Sequence, residues 1–177
     1  MDVTPTDLLP TSKIGAVKML QAEDEWLIES LWLSNAAGII GGQPKVCKSW
    51  LGLDMAISVA SQTPCIGHFA VKNPGPSLVY LAEDSAYQVR GRVAGICKSR
   101  GIAIENLNLT LITSPVLRLD DEGDRDRLLR TVESIRPRLL LLDPLVRLHS
   151  LDENNSRDIA MLLGFLRCLQ RTYECAV

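Results

Sequence analysis

The sequence predicts an α/β domain in which helices flank a mostly parallel sheet. From residue 37 onward, short apolar runs alternate with amphipathic segments, and this alternation is typical of strand and helix units built around a parallel sheet. A length of 177 residues is enough for one domain with a full core and too short for two ordinary ones. We therefore expect an N-terminal extension over 1–36 and a single core domain over 37–177.

Apolar runs mark five expected strands. They read GIIGG, SLVYLAE, LNLTLIT, RLLLLD and, at residues 174–177, ECAV. Short, nearly continuous apolar runs are typical of strands that are buried on both faces. Within the extension, the stretch EWLIESLW places Trp26, Ile28 and Leu31 in a spacing that suggests a short strand or a strand-like arm.

Four segments between these runs have the periodicity of helices. The segment 49–61 is apolar all round, whereas 85–100, 121–136 and 156–170 have a distinct apolar face. Ser85 and Gln88 have the spacing of a capping box, and the acidic stretch DDEGD opens the third helix, where negative charge is favourable. The sheet should therefore have helices on both faces.

Charge and cysteine content narrow the class of protein. The formal net charge is -2 and the estimated pI is about 5.7, so contact with DNA would need a local basic patch or an assembled ring. The five cysteines form no C-x-x-C pair, and the N-terminus lacks the features of a secretory signal. We expect a cytoplasmic protein with free thiols. No membrane contact is expected, since a membrane span requires roughly 20 apolar residues.

The stretch GGQPKVCKS lies between the first expected strand and the first expected helix. It matches the phosphate-loop template G-x-x-x-x-G-K-[ST] at Gly42, Lys48 and Ser49. In such loops the backbone N–H groups surround phosphates at a helix N-terminus, the lysine neutralises the outer phosphates and the hydroxyl binds Mg²⁺. We expect ATP and Mg²⁺ to bind here, through Gly42, Gln43, Pro44, Lys45, Val46, Cys47, Lys48, Ser49 and Trp50. On the motif alone, the alternative is a lysine-containing turn before an ordinary helix.

Cys47 stands where the template has its second glycine. Glycine lets the backbone approach the phosphates closely and adopts a positive φ without hindrance from a β-carbon. If φ is positive here, a cysteine costs on the order of 1 kcal/mol or more. Because the amide N–H, Lys48 and Ser49 all remain, we expect weakened binding rather than none.

Two further expected strands end in carboxylates. Asp143 follows four leucines and precedes Pro144, so it emerges at the carboxyl end of a buried strand, where ligands bind in open α/β sheets. We expect it to bind Mg²⁺ together with Ser49. Glu83 ends another strand and is the expected base for the attacking water, whereas Asp84 is expected to assist the start of the next helix. Taken singly, each acid also fits an ordinary loop or capping residue.

A phosphate loop, a strand-end glutamate and a strand-end aspartate on separate strands resemble the RecA-like P-loop ATPase core. The resemblance is to AAA ATPases akin to the hexameric replicative helicases of plasmids, and it is carried by GQPKVCKSWLGLDMAISVA, LVYLAEDS, LLLLDPLVRLHSLDENNSRDI and MLLGFLRCLQ, within about residues 25–177. It implies ATP hydrolysis coupled to DNA replication or helicase-type work on single-stranded DNA, in a homo-oligomeric ring. It also implies catalytic roles for Lys48, Glu83 and Asp143.

Two departures from the family pattern bear on activity. Cys47 replaces the expected glycine, and the chain ends at YECAV, where the family's next strand would begin. That strand usually leads to a histidine that senses the γ-phosphate and to basic residues that reach a neighbouring subunit, so the resemblance implies a missing C-terminal part. These departures favour, as an alternative, a degenerate nucleotide-binding or regulatory module with little or no turnover. A phosphate-loop kinase is a weaker alternative, because no lid or acceptor pocket is recognisable.

Basic residues in two segments are candidates for contact with DNA or with a neighbouring subunit. The second expected helix carries four of them, Arg90, Arg92, Lys98 and Arg100. Such residues more often form the solvated face of an amphipathic helix. Arg147 and Arg157 lie in the segment after Asp143 and are candidates through the resemblance only.

Overall fold

The computed structural model of the protein describes residues 9, 11–17, 25–151 and 155–177. Its strands are β1 (Trp26–Ile28), β2 (Trp32–Leu33), β3 (Ser77–Leu81), β4 (Leu109–Leu111) and β5 (Leu139–Asp143). Its α-helices are α1 (Lys48–Ser61), α2 (Ala86–Ser99), α3 (Glu122–Ile135) and α4 (Ser156–Tyr173). Short 3-10 helices lie at Ile14–Ala16, Ile104–Asn106 and Leu145–Arg147.

A three-stranded parallel sheet forms the centre of the protein, in the order β4-β3-β5. Ser77 of β3 pairs with Leu109 on one side and with Leu139 on the other. At the far end of the β3 and β5 pair, Leu81 lies opposite Asp143. The predicted α/β class, with a parallel sheet flanked by helices, is confirmed, and this register brings the carboxyl ends of β3 and β5 side by side.

Alternating side chains of the sheet pack into two separate cores. Val79 and Leu81 of β3 belong to the core formed with α1 and α2, whereas Leu78 and Tyr80 belong to the core formed with α3 and α4. Successive residues of a strand point to opposite faces, so the run of four residues from Leu78 to Leu81 supplies both cores. All five residues of β3 are buried. Helices therefore cover both faces of the sheet, as the sequence predicts.

Two helices begin where the sequence predicts, α2 at the expected capping box and α3 at the acidic stretch DDEGD. Ser85 caps α2 in a reciprocal box, in which the Ser85 side chain accepts from the Gln88 N–H and the Ser85 N–H donates to Gln88 Oε1 at 2.9 Å. Asp121 caps α3 by accepting from the Asp124 N–H at 2.9 Å. Within the described residues, no helix has both the length and the apolar character needed to cross a bilayer.

The run GIIGG is not a regular strand, so this part of the prediction was wrong. The backbone hydrogen bonds of this region run to one residue of the C-terminal segment, since the Gly38 N–H donates to Val177 O and the Val177 N–H donates to Ala36 O, both at 2.9 Å. A strand requires pairing over successive residues, which a single partner residue does not provide. The run ECAV does pair with β5, through a parallel bridge between Leu139 and Ala176.

The stretch EWLIESLW forms a short antiparallel hairpin of β1 and β2, in agreement with the predicted strand-like arm. Leu27 and Ile28 are completely buried in the core beside α1. The Trp32 ring lies against Gly38, where a β-carbon would be only 2.6 Å from the ring. Residues 26–33 thus pack onto the body of the protein, and the division at residue 36 stays a prediction.

Candidate functional site

A polar cleft opens where β3 and β5 end and α1 begins. The residues that line it are Pro44, Lys45, Cys47, Lys48, Ser49, Trp50, Leu81, Glu83, Asp84, Arg92, Asp143, Pro144 and Val146. Gly42, Gln43 and Val46 belong to the same loop but do not line the cleft. The fold therefore brings the phosphate-loop residues together with Glu83 and Asp143, two acids that are far apart along the chain.

Packing between α1 and β5 sets the position of the loop. Gly52 lies so close to β5 that a β-carbon on it would be 2.9 Å from Leu141 Cδ1. This close approach places the first turn of α1, with Lys48 and Ser49, beside the end of β5, where Asp143 emerges. The Ala82 N–H donates to Asp143 O at 2.8 Å and so extends the contact between the two strand ends.

The backbone of the loop is left-handed at two positions that are not glycine. Lys45 has a φ of 65°, and Cys47 has a φ of 62° with a ψ of 24°. Cys47 is the residue that caps α1, and its side chain forms no capping hydrogen bond. The structure thus meets the condition under which the sequence predicts a cost for cysteine at this position, since a β-carbon disfavours left-handed backbone.

Lys48 is folded back into the loop. Its Nζ donates to Gly42 O at 2.9 Å and to Gln43 O at 2.7 Å. A β-carbon on Gly42 would lie 3.1 Å from Val46 Cγ2, so the loop is tightly wound around this ammonium group. The positive charge therefore sits inside the curl of the loop, at the N-terminus of a 14-residue helix. Both features favour an anion at this point.

Glu83 is paired with Arg147, which belongs to the 3-10 helix that follows β5. The Arg147 Nε donates to Glu83 Oε1 at 3.0 Å. Both side chains are well exposed, at 64% for Arg147 and 58% for Glu83. Exposed ion pairs contribute about 0–1 kcal/mol to stability, so Glu83 can leave Arg147 for another partner at little cost in free energy. Arg157 lies apart from this pair, exposed on the first turn of α4.

Asp84 has a different role from the one predicted. Ser85 caps α2, whereas Asp84 accepts two hydrogen bonds from the Arg92 guanidinium, at 2.5 and 2.9 Å. The guanidinium also lies over the Trp50 ring, 5.6 Å from its centroid. The prediction for Asp84 was wrong because a serine at the cap already satisfies the helix start. The sequence analysis did not place Arg92 in the cleft. The available signal was Asp84 directly before the capping residue Ser85, together with Arg92 on the second turn of α2.

The four basic residues in α2 and at its C-cap do not form one solvated face. Arg100 is partly buried and bonded to Asp54 on α1, and it also donates to Ser58 Oγ at 2.8 Å and to Thr63 Oγ1 at 2.9 Å. Arg92 is held at the cleft, while Arg90 and Lys98 are exposed. Two of the four therefore join helices and loops inside the protein.

The cleft contains oxygen donors of the kind that Mg²⁺ prefers. The Ser49 hydroxyl and the Asp143 carboxylate both line it, beside the Lys48 side chain. Hydroxyl, carboxylate and phosphate oxygens together with water suit this hard cation. The residues present therefore fit a magnesium ion bound together with phosphate groups.

Comparison with family models matches residues 4–177 of the chain to the family described as the AAA domain. A search of curated proteins gives no match. The family match extends over nearly the whole chain and includes the phosphate loop and both strand-end acids. The chain therefore belongs to the AAA domain family, whose members are P-loop proteins of the nucleotide-binding ATPase type.

Proposed function

We propose that the protein binds ATP with Mg²⁺ in the cleft and hydrolyses it by in-line attack of water. The observation that carries this proposal is the convergence of three elements on one cleft: the loop that ends in Lys48 and Ser49, Glu83 after β3, and Asp143 at the end of β5. Phosphoryl transfer needs little more than positioning and electrostatic stabilisation, and these residues are suited to both.

Binding would rest on the loop and the first turn of α1. Backbone N–H groups at this helix end and the Lys48 ammonium attract the phosphates. On binding, Lys48 exchanges its bonds to Gly42 O and Gln43 O for phosphate oxygens. Mg²⁺ held by Ser49 and Asp143 would neutralise part of the phosphate charge.

Glu83 is the proposed base. It orients a water molecule and takes its proton as the water oxygen bonds to the γ-phosphorus, while the bond between that phosphorus and the β,γ-bridging oxygen breaks and ADP leaves with the electron pair. Lys48 stabilises the charge that develops on the phosphoryl oxygens. The exposed contact with Arg147 gives way at little cost when Glu83 turns to the water.

The wider setting is proposed from the resemblance to the RecA-like group. It supports a homo-oligomeric ring in the cytoplasm that couples hydrolysis to replication or helicase-type work on single-stranded DNA. The exposed side chains of Arg147 and Arg157 are compatible with contact to an anionic strand. Stimulation of phosphate release by oligo(dT) tests this setting, and an unchanged rate at saturating oligo(dT) would contradict it.

One observation favours a second candidate function, a nucleotide-binding module with little turnover. Cys47 places a β-carbon and a thiol at a left-handed position of the loop, where the backbone must approach the phosphates. A loop that binds phosphate less closely holds the γ-phosphate less well for attack. Binding of Mg²⁺-ATP without release of phosphate would support this candidate over the ATPase.

Calorimetric titration with Mg²⁺-ATP tests the site itself. The wild-type protein should bind, and Lys48→Ala should bind at least about tenfold more weakly, because the loop loses the ammonium group that Gly42 O and Gln43 O hold within its curl. Lys98→Ala is the matched control, since this lysine is exposed near the end of α2, outside the cleft. Equal binding by wild type and Lys48→Ala would contradict the assignment of the loop.

A further inference from the structure

Three side chains form a connected cluster at one wall of the cleft. Asp84 and Arg92 form a two-pronged ion pair, with N–O distances of 2.5 and 2.9 Å, and the Arg92 Cζ lies over the Trp50 ring, 5.6 Å from its centroid. The pair is partly shielded from solvent, because the Asp84 side chain is 15% exposed and that of Arg92 is 30% exposed. We call this cluster the Arg92 bracket.

The Arg92 bracket connects the two elements whose relative position matters most for hydrolysis. Trp50 directly follows Ser49 on the first turn of α1, and Asp84 directly follows Glu83 after β3. Arg92 itself is on α2, so one guanidinium joins the phosphate-loop helix to the segment that carries the proposed base. A shift of the Asp84 backbone relative to that of Trp50 also displaces the backbone of Glu83 relative to that of Ser49, because each pair consists of chain neighbours.

Other contacts of Glu83 do not provide this restraint. The pair of Glu83 with Arg147 is exposed, and exposed pairs of this kind hold a side chain only weakly. The Asp84 pair is shielded and uses both carboxylate oxygens, which fixes the orientation of the guanidinium as well as its distance. The flat guanidinium can donate to the carboxylate in its plane and present its face to the indole ring at the same time, whereas a lysine cannot.

We propose that Arg92 is a positioning residue for hydrolysis: through the Arg92 bracket it holds Glu83 at the correct distance from nucleotide bound in the phosphate loop. This inference rests on the proposed ATPase function. Arg92 acts on Asp84 and Trp50 rather than on the phosphates, so its loss should affect the reaction step and leave ground-state binding largely intact.

Steady-state hydrolysis and calorimetric binding of Mg²⁺-ATP, measured on the same variants, test the proposal. Arg92→Gln should lower kcat by about 10- to 100-fold, the usual consequence of misplacing a reacting group by about 1 Å. Its affinity for Mg²⁺-ATP should stay within about threefold of wild type, a change well below the tenfold that corresponds to 1.4 kcal/mol. Arg92→Lys should restore only part of the rate, because it keeps the charge and loses the planar fork. Arg90→Gln, an exposed arginine two positions earlier on α2, is the matched control and should behave as wild type.

The variant Asp84→Asn distinguishes a positioning role of Arg92, exerted through Asp84, from a direct contact between Arg92 and phosphate. In a bracket, Asp84→Asn and Arg92→Gln remove the same restraint, so each should lower kcat and the double variant should be no worse than the poorer single variant. Each single variant leaves one partly shielded charge without its partner, which can destabilise the fold, whereas the double variant removes both charges. The double variant therefore remains measurable if a single variant fails to fold. A fall in kcat for Arg92→Gln with none for Asp84→Asn would overturn the proposal.

Binding of Mg²⁺-ADP with aluminium fluoride, which imitates the phosphoryl group in transfer, gives a readout without turnover. If the wild-type protein binds ATP but releases no phosphate, Arg92→Gln should still bind this complex about tenfold or more weakly than wild type does. An unchanged affinity would overturn the Arg92 bracket alone. No binding of any nucleotide by the wild type would instead overturn the proposed function and, with it, this inference.

Discussion

Replacing Cys47 with glycine should raise stability and affinity through two separate effects. Cys47 has the left-handed angles φ 62° and ψ 24°, and a residue with a β-carbon there costs roughly 1–2 kcal/mol relative to glycine. Glycine in turn loses about 0.5–1 kcal/mol through the greater freedom of the unfolded chain. The net gain is about 0–1.5 kcal/mol, which corresponds to a rise in Tm of up to about 5 °C for a domain of this size.

The effect on binding has a different origin. The left-handed conformation is already present in the folded protein, so its cost enters the free energy of folding and not that of binding. What changes on binding is the approach of phosphate to the Cys47 side chain, which is exposed in the cleft. We expect Cys47→Gly to bind Mg²⁺-ATP about three- to tenfold more tightly, roughly 0.7–1.4 kcal/mol.

Thermal melts and calorimetric titrations of wild type, Cys47→Gly and Cys47→Ala measure both effects. Cys47→Ala retains the β-carbon and removes the thiol, so it should melt close to wild type and bind Mg²⁺-ATP with an affinity between those of wild type and Cys47→Gly. If Cys47→Ala equals Cys47→Gly in Tm, the thiol and not the backbone conformation lowers the stability of the wild type. A lower Tm for Cys47→Gly than for Cys47→Ala would refute the assumed cost of left-handed backbone at this residue.

Two further predictions concern the core and its thiols. Gly52→Ala should lower the free energy of unfolding by up to about 2 kcal/mol, because the new β-carbon would lie 2.9 Å from Leu141 Cδ1, and the overpacking cost of about 1–3 kcal/mol is partly offset by the gain of about 1 kcal/mol of alanine over glycine in a helix. Gly95→Ala, which meets open space on α2, should be neutral or stabilising by up to about 1 kcal/mol, and equal losses in denaturant titrations of the two variants would contradict this reasoning. Burial, aided by the Asp54 charge, raises the pKa of Cys65 from 9.0 to about 12, so the folded state favours the protonated thiol. The resulting stabilisation is fully present below about pH 9 and is lost as the pH rises towards 12; the unfolding free energy should fall across this window, and an equal fall in Cys65→Ala would assign it to other groups.

Several structural features follow from local sequence and were predicted correctly. Apolar periodicity predicted the four α-helices to within a few residues, and the capping residues Ser85 and Asp121 mark their starts because caps are satisfied by neighbours within one turn. The run GIIGG was predicted as a strand and is not one. Its apolar residues allow a strand, but strand formation depends on a partner supplied by another part of the chain, and within the described residues the backbone hydrogen bonds here run to Val177 alone.

Local sequence predicts the chemistry of the cleft: residues suited to phosphate, to a cation and to a proton are recognisable from their types and spacing. The partners of these charges depend on the fold. Arg92 holds Asp84 across 8 positions, Arg100 holds Asp54 across 46, and Arg147 holds Glu83 across 64. A motif and a helix cap depend on residues that are neighbours in the chain, whereas an ion pair between elements depends on how the helices pack on the sheet. For that reason the phosphate loop was recognisable from its letters, and the Arg92 bracket became visible only in the fold.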